Sequence, residues 1–295
     1  MAKNEFLPFG TGAGANVLSN EDYQALLARV TGFSSGVAKS EELNSAWRQA
    51  SVMAAVLGQF ISDKGKDALD DGDLVTLKAN LVAALDSQAV GRLLGIKVFT
   101  ASGTYTPTPG TKKIRRKVWG GGGGGGGTQG VTATQAAIGG GGAAGAYSES
   151  FDVVPSTMAV IVGLGGVSSS TTDGTNGGTS SAGSVTAPGG VGGAYGVANS
   201  TFPFGAAPRN STIGSGGNVV NAPGNTASMG FTWSSSGGVR SMGGQSSVGA
   251  SLYTATSSGY ASGGSGSVAA GGSGAVAAQA GYNGAPGLVI IEEYA

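Results

Sequence analysis

The sequence predicts an α+β chain: a coiled-coil-like, trimeric N-terminal helical region followed by an all-β, glycine-rich sandwich domain with long loops. Charge lies early in the chain, since 14 of the 16 Lys and Arg precede Trp119. Glycine lies late, with 47 of the 59 glycines after that residue. The apolar period changes from helical spacing to alternation near Ile96. We therefore predict an extended arm at 1–18, a helical attachment and trimerisation region at 19–95, and a glycine-rich β domain at 96–295.

Composition excludes several classes of chemistry. The 295 residues include neither Cys nor His, and the formal net charge is zero. Disulfides, the usual zinc sites and Ser-His-Asp or Cys-His devices are therefore excluded, and we predict no metal and no cofactor. A neutral chain has no global attraction for nucleic acid or anionic membranes. The sequence has no apolar run of membrane-spanning length and no signal-peptide core, so we expect synthesis in a cytosol without membrane insertion.

The first residues predict an arm and a short helix. Residues 1–18 contain Pro8 and several small-residue breaks, which favour an extended conformation. Phe6, Leu7 and Phe9 are its apolar anchors, and we predict that they dock on a partner, with a frayed terminus as the alternative. Beyond the arm, Ser19 and Asn20 are suited to capping a helix that runs to about Val30.

A longer helix follows at 40–62, capped by Ser40. Its apolar residues alternate at spacings of four and three, which is the pattern of a coiled-coil seam. This predicted trimerisation seam consists of Leu43, Trp47, Ala50, Ala54, Leu57 and Ile61. It spans only about three heptads, so self-association and packing on the chain's own core fit it about equally. Asp73 caps a third helix, which we expect to end near 91–95.

Alternation from Ile96 onward predicts strands. We expect one hairpin at 98–119, with a turn at Pro109-Gly110, and a second at 146–164, with a turn at 155–157. The chain ends in an apolar strand at 288–291. We expect this strand to pair with the early hairpins, which would make 165–285 an elaboration of one β domain.

The eight consecutive glycines at 120–127 dominate the second half of the chain. Glycine loses more backbone entropy on ordering than other residues, so an ordered run requires neighbours on every side. One arrangement is a set of polyproline-II helices packed against each other, since glycine permits the closest backbone approach. The other is long loops lying flat across a sheet or between subunits. The sequence does not decide between them.

The basic residues before the glycine run have a structural and a functional interpretation. They are Lys112, Lys113, Arg115, Arg116 and Lys117. A solvated strand face is favoured over a phosphate-binding patch, because neither clustered aromatics nor an RNA-type signature accompanies them. The glycines are followed by Thr128-Gln129-Gly130 and lack the Lys of a nucleotide-binding loop.

The acidic residues of the β domain give little support to catalysis. Glycosidases need two carboxylates flanking the scissile bond. The candidates are Glu149, Asp152, Asp173, Glu292 and Glu293. Solvated strand edges explain them more simply, and we predict no catalytic residue and no enzyme.

Aromatic residues between polar and glycine residues are candidates for recognition. Loops on a rigid scaffold commonly carry binding residues, and aromatic faces suit carbohydrate or protein surfaces. The predicted receptor-contact residues are Tyr195, Phe202, Phe204, Trp233, Tyr253 and Tyr260. For any one of them alone, a place in the β core is the more frequent outcome.

Two parts of the sequence resemble one class of protein. Residues 1–61, beginning MAKNEFLPFGTGAGANVLSNEDYQALLARV, resemble the start of tail-fibre proteins of tailed bacteriophages. The segments FTASGTYTPTPG, KVWGGGGGGGG and YSE resemble the glycine-rich C-terminal domain of phage tail fibres and receptor-binding proteins. The loops at 168–286 match nothing of this kind.

The resemblance implies a homotrimeric virion component assembled in the cytoplasm of a host bacterium. Its N-terminal region would attach to the tail tip or baseplate, and its C-terminal domain would bind a glycan, outer-membrane protein or pilus on the bacterial surface. A tailspike-like enzyme that cleaves surface polysaccharide and a purely structural baseplate protein are the alternatives. Scarce acidic pairs disfavour the enzyme, and loop aromatics favour the adhesin over the structural protein.

Overall fold

The computed structural model describes residues 2–33, 36–88, 91–154 and 156–295. It divides into two compact units, Met1–Val90 (unit 1) and Gly91–Ala295 (unit 2). The predicted turn at 155–157 begins at Pro155, which lies outside the described residues. The helices of the described chain are α1 (Asn20–Ala25), α2 (Ala28–Thr31), α3 (Ser40–Asp63) and α4 (Leu74–Gln88).

Two of the predicted helix caps are confirmed. Ser19 Oγ accepts a hydrogen bond from Asp22 N, and the Asp73 carboxylate accepts from Val75 N and Thr76 N. The continuous first helix is wrong, because α1 ends at Ala25 and α2 starts after a break. Ser40 does not cap α3: its Oγ accepts from Asn16 Nδ2 instead.

The predicted coiled-coil-like region is wrong. The four described helices have 6, 4, 24 and 15 residues and form no coiled coil. α3 packs against α4 and the N-terminal arm of its own chain, and the shared core contains Ile61, Ala68 and Ala84. The seam residues lie in different environments: Ile61 is buried, whereas Trp47 is 55% exposed. A three-heptad apolar pattern is thus satisfied in part by partners within the chain.

The arm crosses α3 at Gly58. Asn4 forms a bridge with Ala68, and Glu5 N donates to the Ala68 carbonyl at 2.9 Å. A Cβ added to Gly58 would lie within 3.0 Å of Asn4 Oδ1. The helix therefore needs glycine at this position for the arm to lie so close.

Unit 2 contains short strands in small antiparallel sheets. The strands are β1 (Leu93–Phe99), β2 (Gly103–Tyr105), β3 (Lys113–Trp119), β4 (Ala136–Ile138), β5 (Tyr147–Val153), β6 (Met158–Ile161), β7 (Ser180–Ala182), β8 (Val185–Ala187), β9 (Phe204–Ala206), β10 (Val220–Ala222), β11 (Gly230–Ser234), β12 (Gly237–Val239), β13 (Gly249–Ala250), β14 (Ser258–Gly259), β15 (Val268–Ala270) and β16 (Leu288–Tyr294).

These strands form a five-stranded sheet (β1-β16-β3-β5-β10), a four-stranded sheet (β2-β6-β7-β8), a three-stranded sheet (β12-β11-β9) and two strand pairs (β13-β14 and β15-β4). The two largest sheets share an apolar core that includes Ile114, Val118, Val160 and Ile291. The predicted all-β sandwich with long loops is wrong, because most of the chain between these sheets is neither strand nor free loop.

Both predicted hairpins are also wrong. β1 and β3 lie in one sheet with β16 between them, and β5 and β6 belong to different sheets. The expected pairing of the last strand with the early strands is confirmed, since β16 pairs with β1 and with β3. Strand order is set by the buried residues of β16, such as Val289 and Ile291, and these are remote in sequence from β1 and β3.

The glycine run 120–127 forms the centre of unit 2, and its hydrogen bonds repeat every third residue. Gly120, Gly123 and Gly126 donate to Ala146, Ala143 and Gly140; Gly121, Gly124 and Gly127 donate to Gly178, Thr175 and Thr172; Gly122 and Gly125 donate to Ala285 and Tyr282. The run therefore has three residues per turn and no internal hydrogen bonds, as in a polyproline-II helix. The structure decides in favour of packed helices of this type.

Six segments surround the central run. The antiparallel segments 140–146, 172–178 and 279–285 accept its N–H groups, as given above. The parallel segments 164–169, 188–196 and 262–267 donate to its carbonyls, for example Gly166 to Gly122, Gly190 to Gly121 and Gly264 to Gly123. Neighbouring segments around this ring are also joined, as by Gly284 N to the Gly166 carbonyl. We call this assembly the glycine lattice.

The lattice explains why all eight residues are glycine. A threefold helix with neighbours on every side directs each Cβ position at one of them. At every position from 120 to 127, an added Cβ would lie within 3.0 Å of a backbone carbonyl of an adjacent segment. All eight residues are buried. No residue with a side chain fits without displacing neighbouring backbone.

The lattice has two distinct ends. β3 leads directly into 120–127, 139–146 leads into β5, and 279–286 leads into β16. The two large sheets therefore extend the lattice at one end, the sheet end, where Gly91 N donates to the Ala295 carbonyl at 3.0 Å. The opposite end, the loop end, consists of the connections 128–138, 170–172, 195–209, 229–239 and 268–278.

Candidate functional site

The loop end carries an exposed apolar surface on the sheet β12-β11-β9. Residues of alternating position along a strand share a face, and Phe231 is paired with Val239 on β12. Met229, Phe231, Trp233 and Val239 are 64%, 41%, 53% and 48% exposed. On the other face Thr232 is fully buried. We call these four exposed residues the aromatic face.

Trp233 lies at a β-bulge in β11. Thr232 is paired with Gly238 and Ser234 with Gly237, so Trp233 is an extra residue in β11. Such bulges bend a strand and redirect a side chain. A Cβ on Gly237 would lie within 3.0 Å of Trp233 Nε1, so the indole lies directly against that glycine. The rings of Phe231 and Trp233 are 6.4 Å apart, centroid to centroid.

The predicted receptor-contact residues do not form one cluster. Tyr195, Phe202, Phe204 and Trp233 lie at the loop end, as their places in 195–209 and 229–239 require. Phe202 and Phe204 stack at 5.7 Å and are both half-buried. Phe204 is paired with Thr232, so it lies on the face of the sheet opposite Trp233.

The other two predicted contacts lie elsewhere. Tyr260 packs at the sheet end against the cluster of Trp119 and Leu288. Tyr253 is 46% exposed and lies on the side of the lattice, near Arg240. The contacts predicted from the sequence omit Met229, Phe231, Val239 and Arg240. The alternation of Met229, Phe231 and Trp233 is the signal that would have found the aromatic face.

The basic run before the glycines is engaged in ion pairs. Lys117 Nζ lies 2.6 Å from Glu292 Oε1, Arg115 pairs with Glu149, and Arg116 with Asp152. Arg116 is only 8% exposed, so the preferred interpretation, a solvated strand face, does not describe it. Because the three side chains are paired with carboxylates, they are not available to bind phosphate.

The carboxylates of the sheet end are held ionised. Burial raises the pKa of Glu149, Asp152 and Glu292, but hydrogen bonds and nearby cations outweigh burial, and each pKa lies below its ordinary value. The partner tyrosines shift the other way: burial and a hydrogen bond to Glu149 raise the pKa of Tyr147. A glycosidase acid needs a raised carboxyl pKa, which none of these three has.

The predicted attachment residues of unit 1 differ in exposure. Phe6 packs against the small core of the unit, Leu7 is 76% exposed, and Phe9 meets Trp47 edge-on at 5.9 Å. The remaining seam residues are also divided: Leu43 and Ala54 are half-buried, whereas Ala50 and Leu57 are exposed. Further exposed apolar residues of α3 and α4 are Met53, Val56, Leu74, Val75, Val82 and Leu85.

Within the residues described, no group of three or more His, Cys, Asp and Glu is arranged to hold a metal ion. None of the described helices combines the length and the apolarity that crossing a membrane requires.

Comparison with known families identifies the second unit. A family model described as a glycine-rich domain matches residues 99–294, which contain β2 to β15, most of β16, the glycine lattice and the aromatic face. A comparison with curated proteins gave no significant match.

Proposed function

The chain belongs to the glycine-rich domain family, and from that premise we propose that it is a tail-fibre protein of a tailed bacteriophage that binds the bacterial surface through the loop end of unit 2. The sequence resemblance described above supports the assignment to phage tail fibres. The aromatic face is the structural observation on which the proposed binding role rests.

The position of the aromatic face suits an adhesin. Residue 91, where the chain enters unit 2, lies at the sheet end, and the aromatic face lies at the opposite end of the lattice. The lattice between them holds the loops on a rigid support. Exposed contiguous apolar residues commonly mark interaction sites, and Trp is enriched among residues that dominate binding energy.

We propose that unit 1 attaches to the tail tip or baseplate and that the virion carries the chain as a homotrimer. The resemblance implies both. Unit 1 has a small core and leaves Trp47, Met53, Leu74 and Val75 more than half exposed, which supports attachment to further protein. A particle mass equal to three chains in light scattering is the expected result, and a monomer at micromolar concentration would contradict the trimer.

The proposed role is non-enzymatic. The ion pairs and lowered carboxyl pKa values at the sheet end favour this over polysaccharide cleavage. Incubation of the full chain with purified surface polysaccharide from a host that it binds should release no reducing ends. Sustained release would favour the tailspike-like enzyme instead.

The decisive experiment measures binding of the fluorescently labelled full chain to a panel of bacterial strains. For a strain that binds, replacing Phe231 and Trp233 together with Ala should weaken binding about tenfold or more. Val153→Ser is a matched control, because Val153 is an exposed apolar residue of the sheet end, at 76%. Equal binding by the double variant, with its thermal unfolding unchanged, would reject the aromatic face as the contact surface.

A further inference from the structure

Charge pairing leaves one of the two arginines after Trp119 unmatched. Each of the five carboxylates after Trp119 has a basic partner within 4.0 Å: Glu149 with Arg115, Asp152 with Arg116, Asp173 with Arg209, Glu292 with Lys117 and Glu293 with Lys97. The two cations after Trp119 are Arg209 and Arg240. Arg240 has no carboxylate partner among the described residues.

Arg240 is nevertheless held in a defined position. Its guanidinium carbon lies 5.4 Å from the ring centre of Tyr282 and 5.9 Å from that of Tyr253. Nη1 donates to the Gly266 carbonyl at 3.2 Å, and the backbone N of Arg240 donates to Tyr253 Oη at 3.4 Å. Arg240 and Tyr282 are half-buried, so the group is fixed yet open to solvent on one side.

This environment favours a bound anion. A guanidinium has five N–H donors in a planar fork that matches carboxylate and phosphate oxygens. One donor group is used on Gly266, and the aromatic rings attract the cation by about 1 kcal/mol each without neutralising it. Within the described chain, the Tyr253 and Tyr282 hydroxyl groups donate to no acceptor. The cluster thus offers a positive charge and two further donors, with no negative group.

We propose that Arg240, Tyr253 and Tyr282 bind an anionic group, a carboxylate or a phosphate, carried on a sugar of the bacterial surface. The tyrosine rings offer apolar faces on which a sugar ring can stack. Arg240 directly follows Val239 of the aromatic face in sequence, so both contacts can serve one receptor. This inference rests on the proposed receptor-binding function and names a chemical class that the receptor contains.

The test uses three ligands that share one ring: glucose, glucuronate and glucose 6-phosphate. Each is titrated into the full-length chain by calorimetry. We expect saturable binding of at least one charged sugar, with glucose weaker by about tenfold or more. Binding of glucuronate but not of glucose 6-phosphate would identify the anion as the carboxylate of an acidic sugar. Binding of glucose 6-phosphate but not of glucuronate would identify it as a phosphate. Equal affinity for all three, or no saturable binding of either charged sugar, would overturn the inference.

Variants locate the binding at this cluster. Arg240→Gln should lower the affinity for the charged sugar about tenfold or more. Arg209→Gln, which alters the arginine already paired with Asp173, should leave that affinity unchanged. Arg240→Lys retains the charge without the planar fork and should bind with intermediate affinity. Tyr253→Phe keeps the ring and removes only the hydroxyl group. A loss of sugar affinity in this variant supports the site even where the arginine variants fail to fold. Unchanged affinity in Arg240→Gln would place the anion elsewhere and reject the proposal.

The outcome is separable from that of the proposed function. Calorimetry contains no cells, and the strain-binding assay contains no added sugar. A chain that binds cells through Phe231 and Trp233 but no charged sugar would reject only the anion site. A chain that binds charged sugars through Arg240 but no bacterial strain would reject the receptor-binding role.

Discussion

Tyr105 donates its hydroxyl hydrogen to Glu293 Oε1 across 2.8 Å, although 188 residues separate the two in the chain. The Glu293 side chain is buried, and it also accepts from N and Oγ1 of Thr108. Burial raises the pKa of Glu293, but the hydrogen bonds from Thr108 and Tyr105 and the charge of Lys97 outweigh it and hold the pKa below its usual range. One carboxylate thus fixes the last strand to the turn that follows the second strand.

Acid should destabilise unit 2 through such carboxylates. A group whose pKa is lowered by folding stabilises the protein above its unfolded pKa, and this stability is lost as the pH falls through the folded pKa. For Glu293 the ordinary value is 4.5, so we expect full stability above that pH and a falling Tm below it. Glu293→Gln should lower the free energy of unfolding by about 2 kcal/mol at neutral pH. It should also make the fall of Tm with decreasing pH less steep in acid. Asp86→Asn, at an exposed helix position, is the control, and identical pH profiles for the two variants would contradict the assignment.

Adding one methyl group inside the glycine lattice should be destabilising. A Cβ on Gly123 would meet the Val191 carbonyl, which belongs to backbone that cannot rotate away. We expect Gly123→Ala to destabilise unit 2 by about 3 kcal/mol, measured by denaturant unfolding. In Gly274→Ala the added Cβ has no heavy atom within 4 Å, so its stability should match the parent. Comparable stability in both variants would show that the lattice is looser than described.

Gly237→Ala should move the Trp233 indole without unfolding the chain. The atom nearest the added Cβ is Trp233 Nε1, the far end of a side chain that can rotate. The chain has three Trp residues, so its NMR spectrum should contain three indole N–H signals, of which one should shift strongly. Cell binding should fall together with that shift. A spectrum in which all three signals keep their positions would argue against the contact between Trp233 and Gly237.

Gly58→Ala should release the N-terminal arm from α3. Alanine favours the helix itself by about 1 kcal/mol, but its Cβ would collide with Asn4 and Phe6. Hydrogen exchange at the Glu5 amide, which donates to Ala68, should therefore become faster while α3 remains helical. Gly14→Ala, which has open space around its Cβ position, serves as the control. Unchanged protection of Glu5 in Gly58→Ala would mean that the arm tolerates the methyl group.

Local signals in the sequence located several elements well. Ser19 and Asp73 cap helices because a side-chain oxygen reaches nearby N–H groups, which is a relation within four residues. The strand segments around 113–119 and 288–294 are recognisable from their own apolar residues. Pairing was not recognisable in this way, because β16 inserts between β1 and β3 from the other end of the chain.

The order of the glycine run could not be predicted from its local sequence. Its composition normally predicts disorder, since glycines bury little apolar surface. Order comes from backbone hydrogen bonds to six segments scattered between 140 and 285, and no local pattern at 120–127 encodes them. The aromatic face is predicted only in part from the sequence. The predicted contacts include Trp233 but not Phe231, which lies two residues earlier on the same strand face.

The order β1-β16-β3 has a mechanical consequence for the proposed adhesin under load. β1 and β3 are both antiparallel to β16, so they run in the same direction, and β3 continues into the lattice. A pull between the loop end and residue 91 acts along β1 and slides it past β16. All the ladder hydrogen bonds from Leu93 to Phe99 then resist together instead of opening one at a time. In the proposed role, the first strand is a shear joint between residue 91 and the surface that the loop end would bind.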